Sequence, residues 1–211
     1  MSPTDKPTKV LVFAKAPRPG LAKTRLAPLL GERGAAALQA RLIEHTLVTA
    51  LEARIGEVEL HGDPADDDSL RSCAARHGAR LTGQGAGDIG ARMCTAVEQA
   101  LPTCARVLLV GSDCPALTAE HLRLAAYGLE AGDDAVFVPT EDGGYALIGL
   151  ARCDTRLFAG IAWSTSRVME ETRARLLELT WRWRELETLW DIDTPSDYER
   201  LVASGLLKGI A

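Results

Sequence analysis

The run ARVLLVGS at 105–112 restricts the possible folds more than any other stretch of the chain. A strand with one wet face alternates apolar and polar residues. This run does not alternate, so it reads as a strand covered on both faces, as in parallel sheets flanked by helices. VLVFA at 10–14 reads the same way, and EVELHG (57–62), ARLT (79–82), AVFVP (135–139), YALIGL (145–150) and a segment around 181–187 supply further short strands. Helical patterns lie between them. One covers 32–54, where Leu38, Leu42, Ile43, Leu47 and Leu51 fall near helical spacing, and others cover 67–77, Asp88 to about Ala100, Thr118 to about Ala131, and 165–179. A last helix opens at Pro195. This β-α alternation predicts an α/β, three-layer sandwich with a mostly parallel sheet. The runs 135–139 and 145–150, joined by TEDGG, are close enough to form a hairpin, which puts an antiparallel element late in the sheet.

Hydrophobic residues make up 46% of the 211 positions, enough for a sizeable core, and the chain is expected to form a single domain over 1–211 with the polar, Pro-rich 1–8 as a flexible tail. The net charge of −5 speaks against a nucleic-acid or anionic-membrane partner. No apolar run is long enough to cross a bilayer, and the N-terminus lacks the apolar core of a signal peptide, so a cytoplasmic location is expected. The five cysteines (Cys73, Cys94, Cys104, Cys114 and Cys153) are odd in number, show no CxxC spacing and sit in no His/Cys cluster; they read as reduced thiols and not as disulfides or zinc ligands. The four histidines are scattered and read as structural or surface groups.

Against this acidic background, FAKAPRPGLAKTRL at 13–26 is conspicuous. It follows the first strand and carries Lys15, Arg18, Lys23 and Arg25 within eleven residues. Such a loop suits a phosphate chain, which Lys meets as a point charge and Arg as a bidentate fork. Gly20 would let backbone approach a ligand. The loop is not a Walker A motif, because Ala22, not glycine, stands immediately before Lys23.

Several acidic positions complement it. Asp113, in VGSDCPAL, follows the end of a buried strand, where open α/β sheets bind ligands and where a carboxylate can share Mg²⁺ with substrate phosphates. In WDIDTPSDYERL, Thr194, Pro195 and Asp197 are accounted for by helix-start chemistry. Asp193 is not, and is a candidate second metal ligand. Asp191 and Asp193 lie on a segment read as extended, and only one of them is expected to face a given site. GAGDIG at 85–90 formally matches a dinucleotide fingerprint, and Gly83, Gly85 and Gly87 would allow close approach of a nucleotide; a tight β-α connection explains them equally well. Asp142-Gly143-Gly144 is a hairpin-type turn that could hold a substrate, with Glu141 or Asp142 as a general base. Trp163 and Trp190 flank loops and could stack on a substrate, although core packing accounts for them too. Trp181 and Trp183 are expected to alternate on a strand.

Taken in order, these segments form a known series. AKTRLAP (22–28) resembles the N-terminal loop of the 2-phospholactate guanylyltransferases, and DIDTPSD (191–197) resembles the C-terminal signature of those enzymes and of molybdenum-cofactor cytidylyltransferases. The full set, FAKAPRPGLAKTRL, GDIGARM, GSDCPAL, PTEDGGYALIGL, IAWST and WDIDTP, resembles a bacterial family of guanylyltransferase-like proteins often called glycosyltransferases. The resemblance covers about Val10 to Leu201.

It implies the GT-A, or nucleotide-diphospho-sugar transferase, fold and a transferase using a nucleotide or nucleotide-sugar donor with a small-molecule acceptor. Carried over residue by residue, Ala14, Lys15, Gly20, Lys23 and Arg25 would meet the nucleotide with Gly85, Gly87 and Asp113. Asp113 and Asp193 would hold Mg²⁺ (or Mn²⁺). Lys23, Arg25, Asp113 and Asp142 would carry catalysis, and Asp142, Gly143, Gly144 and Trp163 the second substrate. One departure concerns the reaction itself: sugar nucleotidyltransferases open with a GGxGxR loop, whereas AKAPRPG has a single glycine, which leaves both nucleotidyl and glycosyl transfer open. Readings from other classes are an NAD(P)-binding oxidoreductase using GAGDIG and a non-catalytic nucleotide-binding module.

Overall fold

The computed structural model describes residues 7–207; most of the expected N-terminal tail at 1–8 lies outside them. The described residues form one seven-stranded sheet in the order β3-β2-β1-β4-β6-β5-β7. β1 (Thr8–Lys15), β2 (Gly56–Asp63), β3 (Arg80–Gly83) and β4 (Arg106–Gly111) run parallel, β6 (Tyr145–Leu150) is antiparallel to both β4 and β5 (Ala135–Pro139), and β7 (Trp183–Glu185) lies parallel to β5 at the edge. This is the expected α/β sandwich of the GT-A type, including the late hairpin. The two unbroken apolar runs of the sequence are the two central strands. β1 pairs on both sides, with β2 and β4, and Val10, Leu11 and Val12 are fully buried.

Helices cover both faces because each presents an apolar stripe to the sheet. α1 (Ala27–Ala53), α2 (Asp68–Arg76) and α4 (Ala119–Glu130) pack Ile43, Leu47, Leu70, Leu122 and Leu129 on one face. α3 (Ile89–Ala100) and α5 (Val168–Glu178) pack Met93, Val97, Met169 and Leu176 on the other. A third cluster joins Leu38 and Leu42 of α1 to Trp190, Ile192 and Leu201 of the C-terminal segment that carries α6 (Pro195–Ser204). Trp190 is therefore a core residue. α1 is interrupted at Gly31, whose φ of 70° and ψ of 162° leave the helical region, so the regular helix begins at about the expected position. The strand expected over 181–187 shortens to Trp183–Glu185; Trp181 precedes it, buried and stacked beneath Arg152. Among the described residues, no helix is long and apolar enough to cross a membrane.

Candidate functional site: an acidic cleft at the sheet switch point

From β1 the chain continues to β2 on one side, while β4 flanks β1 on the other. The crevice outside the C-terminal ends of β1 and β4 is therefore the topological switch point, where α/β sheets place their ligands. A cleft of about 640 Å³ opens there. The basic loop forms one wall with Ala14, Lys15, Ala22, Lys23, Thr24 and Arg25, and Asp113, Asp142, Asp191 and Asp193 form another.

The cations of the loop have different partners. Arg18 turns away from the cleft, its Nε 2.7 Å from Asp67 Oδ2. Asp67 caps α2, so that pair anchors the loop and leaves Arg18 out of the cleft. Lys15 lines the cleft and is exposed. The Lys23 side chain is only 4% exposed, with Nζ 2.9 Å from Asp113 Oδ1 and 3.6 Å from Asp193 Oδ1. It also donates to the Ile192 carbonyl. Its backbone adopts φ 48°, ψ 44°, a left-handed conformation uncommon for a residue with a side chain, which aims the ammonium inward. Arg25 closes the group, 2.6 Å from Asp193 Oδ2.

The acidic side is assembled from distant parts of the chain. The Ile192 amide donates to the Asp113 carbonyl at 2.9 Å, tying the segment before α6 to the end of β4. Asp191 and Asp193 both line the cleft, contrary to the expectation that only one would; positions two apart on extended chain share a side, so the pair is on the same side of residues 190–194 even though these form no strand. Burial is the main cause that pushes the Asp191 carboxyl up to about 6, with Asp142, Asp193 and Asp113 adding repulsion. Asp142 Oδ1 accepts from Thr140 Oγ1 at 2.5 Å and from the Gly144 amide at 2.9 Å, which fixes the β5–β6 turn.

The four carboxylates offer only oxygen ligands, the donor set of Mg²⁺ or Mn²⁺. Asp113 Oδ1 is shut off from solvent and has no hydrogen bond despite the nearby ammonium. A buried carboxylate oxygen with no hydrogen bond, balanced only by the Lys23 ammonium that also approaches Asp193, fits a hard cation.

A second, apolar cavity of about 210 Å³ adjoins the first and shares Phe13, Ile89, Gly111, Asp142 and Ser164 with it; Met93, Tyr145 and Trp163 deepen it. Two glycines shape it. A Cβ on Gly90 would lie 2.4 Å from Trp163 Nε1, and one on Gly143 (φ 90°) would lie 2.1 Å from the Ser166 carbonyl oxygen. Gly144 also lines this cavity. Gly20, Gly85 and Gly87, each at positive φ, are absent from the lining of the cleft and shape turns beside it.

The sequence reading missed Asp191, Asp63 with Arg92 (2.7 Å apart), and the amides Gln39 and Gln84. Gln84 Nε2 donates to the Ala14 and His61 carbonyls, and Gln39 Nε2 to Ser112 Oγ and the Lys15 carbonyl. Gln39 lies on α1, Asp63 ends β2, Arg92 lies on α3 and Gln84 follows β3; a lone polar residue at such a position carries no sequence signal for a distant partner. For Asp191, its place beside Asp193 was a usable one.

The same fold occurs in a protein from Desulfovibrio desulfuricans G20, provisionally named a nucleotide-diphospho-sugar transferase. It shares 28% identity at a TM-score of 0.86, over 99% of this chain and 90% of that one. More distant likenesses show the fold alone. CMP:2-keto-3-deoxy-manno-octonic acid synthetase complexed with CTP has 12% identity and a TM-score of 0.61, over 94% of this chain and 98% of the other. Rv0371c of Mycobacterium tuberculosis H37Rv in complex with manganese has 21% identity and a TM-score of 0.59, over 94% and 99%. No curated protein matches the sequence. A family model described as "Uncharacterized protein conserved in bacteria (DUF2064)" matches residues 46–165, more than half of the chain, and the protein belongs to that family.

Proposed function

We propose that the protein is a divalent-metal-dependent transferase that acts at the phosphate chain of a nucleotide donor. The observation that carries this reading is the opposition, across one cleft at the switch point, of Lys15, Lys23 and Arg25 to four carboxylates. Asp113 and Asp193 would hold Mg²⁺ or Mn²⁺, which when bound neutralises phosphate charge and orients the leaving group. A manganese complex of Rv0371c and a CTP complex of a synthetase with this fold support the ligand classes.

In the nucleotidyl reading, an acceptor phosphate attacks the α-phosphate of a nucleoside triphosphate and pyrophosphate leaves. No covalent nucleophile from the chain is needed. Lys15 and Arg25 bind the phosphates, Lys23 supplies positive charge where negative charge builds up, and the apolar cavity at Trp163 holds the acceptor out of water. An acceptor phosphate attacks as an anion and needs no base; for a hydroxyl acceptor, as in glycosyl transfer, Asp142 at the shared rim of the two cavities is the group positioned to take the proton. A glycosyl reading, with the same cations stabilising a departing nucleoside diphosphate, is favoured by one observation: the loop's single glycine, Gly20, does not line the cleft, so side chains and not a glycine-rich backbone meet the phosphates.

A thermal-shift screen of nucleoside triphosphates and nucleotide sugars, with and without Mn²⁺, tests both readings, since a ligand that binds only the folded state raises its melting temperature. Metal-dependent shifts with triphosphates support nucleotidyl transfer, and shifts with nucleotide sugars alone support glycosyl transfer. If Asp113→Ala keeps the metal-dependent shift, the metal assignment is wrong.

A further inference from the structure

We propose that Cys94, Glu98 and Cys153 form a second metal site, for a thiophilic divalent cation of the zinc class, separate from the acidic cleft. Cys94 and Glu98 lie one turn apart on α3 and so share a face of that helix. Cys153 follows β6, whose last residue, Leu150, pairs with Val107 at the start of β4. Asp113 lies beyond the other end of β4, so the chain that carries Cys153 leaves the sheet at the strand end opposite to the cleft.

The geometry matches a metal better than a disulfide. The two Sγ atoms are 3.8 Å apart. Two zinc–sulfur bonds of about 2.3 Å at the tetrahedral angle place their sulfurs about 3.8 Å apart. A disulfide needs about 2.05 Å, which would require the sulfurs to close by more than about 1.5 Å. Both sulfurs and a Glu98 carboxylate oxygen lie within 4.8 Å of one another, and no other trio of His, Cys, Asp and Glu does so among the described residues. Cys94 is buried, Cys153 half-buried and Glu98 exposed, so the trio opens to solvent on one side, where an ion can enter and water can complete a tetrahedron. Two sulfurs with one oxygen select zinc over magnesium, the reverse of the all-oxygen cleft.

Burial pushes both thiols up, Cys153 to about 12, so without a metal they are protonated and poor nucleophiles for oxidation. On zinc binding two S–Zn bonds form and two S–H bonds break, the protons passing to solvent. The site would pin the chain after β6 to α3, the helix whose first turns carry Ile89 and Arg92 into the cleft.

The test is titration of the reduced, metal-free full chain with Co²⁺, read in the near-ultraviolet. Expected is sulfur-to-cobalt charge-transfer absorption that saturates at one equivalent and is displaced by Zn²⁺. It should be retained by Asp113→Ala, which separates this site from the oxygen-ligand cleft, and lost in Cys153→Ser and Cys94→Ser. Glu98→Gln replaces an exposed side chain and should weaken Co²⁺ binding, a second readout should a cysteine variant fail to fold. Absence of the charge-transfer band in the wild type, or a band unchanged by Cys153→Ser, overturns the proposal. So does recovery of the pair as a disulfide together with failure of the reduced chain to bind Co²⁺.

Discussion

Lys23 Nζ lies 2.9 Å from Asp113 Oδ1, yet that oxygen is shielded from solvent and accepts no hydrogen bond. The two meet as charges without hydrogen-bonding geometry. Lys23 is thus the internal cation of an acidic cluster, held between the two carboxylates that suit a metal.

Replacing Lys23 by Met should leave that oxygen without a counter-charge. Asp113 is half exposed, so water screens part of the loss, and we expect destabilisation of about 1–3 kcal/mol. Urea denaturation measures it. Mn²⁺ should restore more stability to Lys23→Met than to the wild type, because the ion then supplies the missing charge, while turnover stays low.

Asp191 gives the cleft a pH dependence of defined sign. Its carboxyl is raised from 3.8 to about 6 in the folded protein, so the unfolded chain ionises first. Stability falls as pH rises between those values and levels off above the folded one. Asp191→Asn removes this loss. In metal-free buffer it should be more stable than the wild type by about 1–2 kcal/mol near pH 7, after allowance for solvent screening, and the gap should vanish below about pH 4. Urea midpoints against pH read both.

Gly90→Ala should reverse the usual helix preference. Alanine in a helix interior ordinarily gains about 1 kcal/mol over glycine, and Gly90, the second residue of α3, has at most that to gain. Here its Cβ would lie 2.4 Å from Trp163 Nε1 and displace the indole, so a net loss of about 1–2 kcal/mol is expected, with a shifted Trp emission maximum. Trp163→Ala should raise the acceptor KM and leave nucleotide binding in place.

Gly143→Ala should cost about 3 kcal/mol, because φ is 90° and the new Cβ would meet the Ser166 carbonyl at 2.1 Å. The Met169 amide donates to the Gly143 carbonyl at 2.8 Å, so hydrogen exchange at the start of α5 should accelerate.

Much of this architecture is legible in the chain. Unbroken apolar runs mark β1 and β4, helical spacing marks α1, and Thr118 and Thr194 announce α4 and α6 as the caps they are. Asp113 stands out because a carboxylate just past a fully apolar strand is not buried with it and emerges at the strand end. The short edge strand was less legible: Trp183–Glu185 is set by pairing to β5, and pairing is not local.

The sequence by itself determined the layers, the switch point and the kinds of charge brought there, because hydrophobic periodicity and capping act over a few residues. Only the tertiary structure decided which charges meet. It sends Arg18 to Asp67, folds Lys23 between Asp113 and Asp193, and brings the Asp191–Asp193 segment to the cleft that holds Asp113 and Asp142. It also brings Cys94 to Cys153 across 59 positions of chain. These contacts depend on the packing of Ile192 and Trp190 against α1 and of α3 against the sheet, which no local spacing encodes.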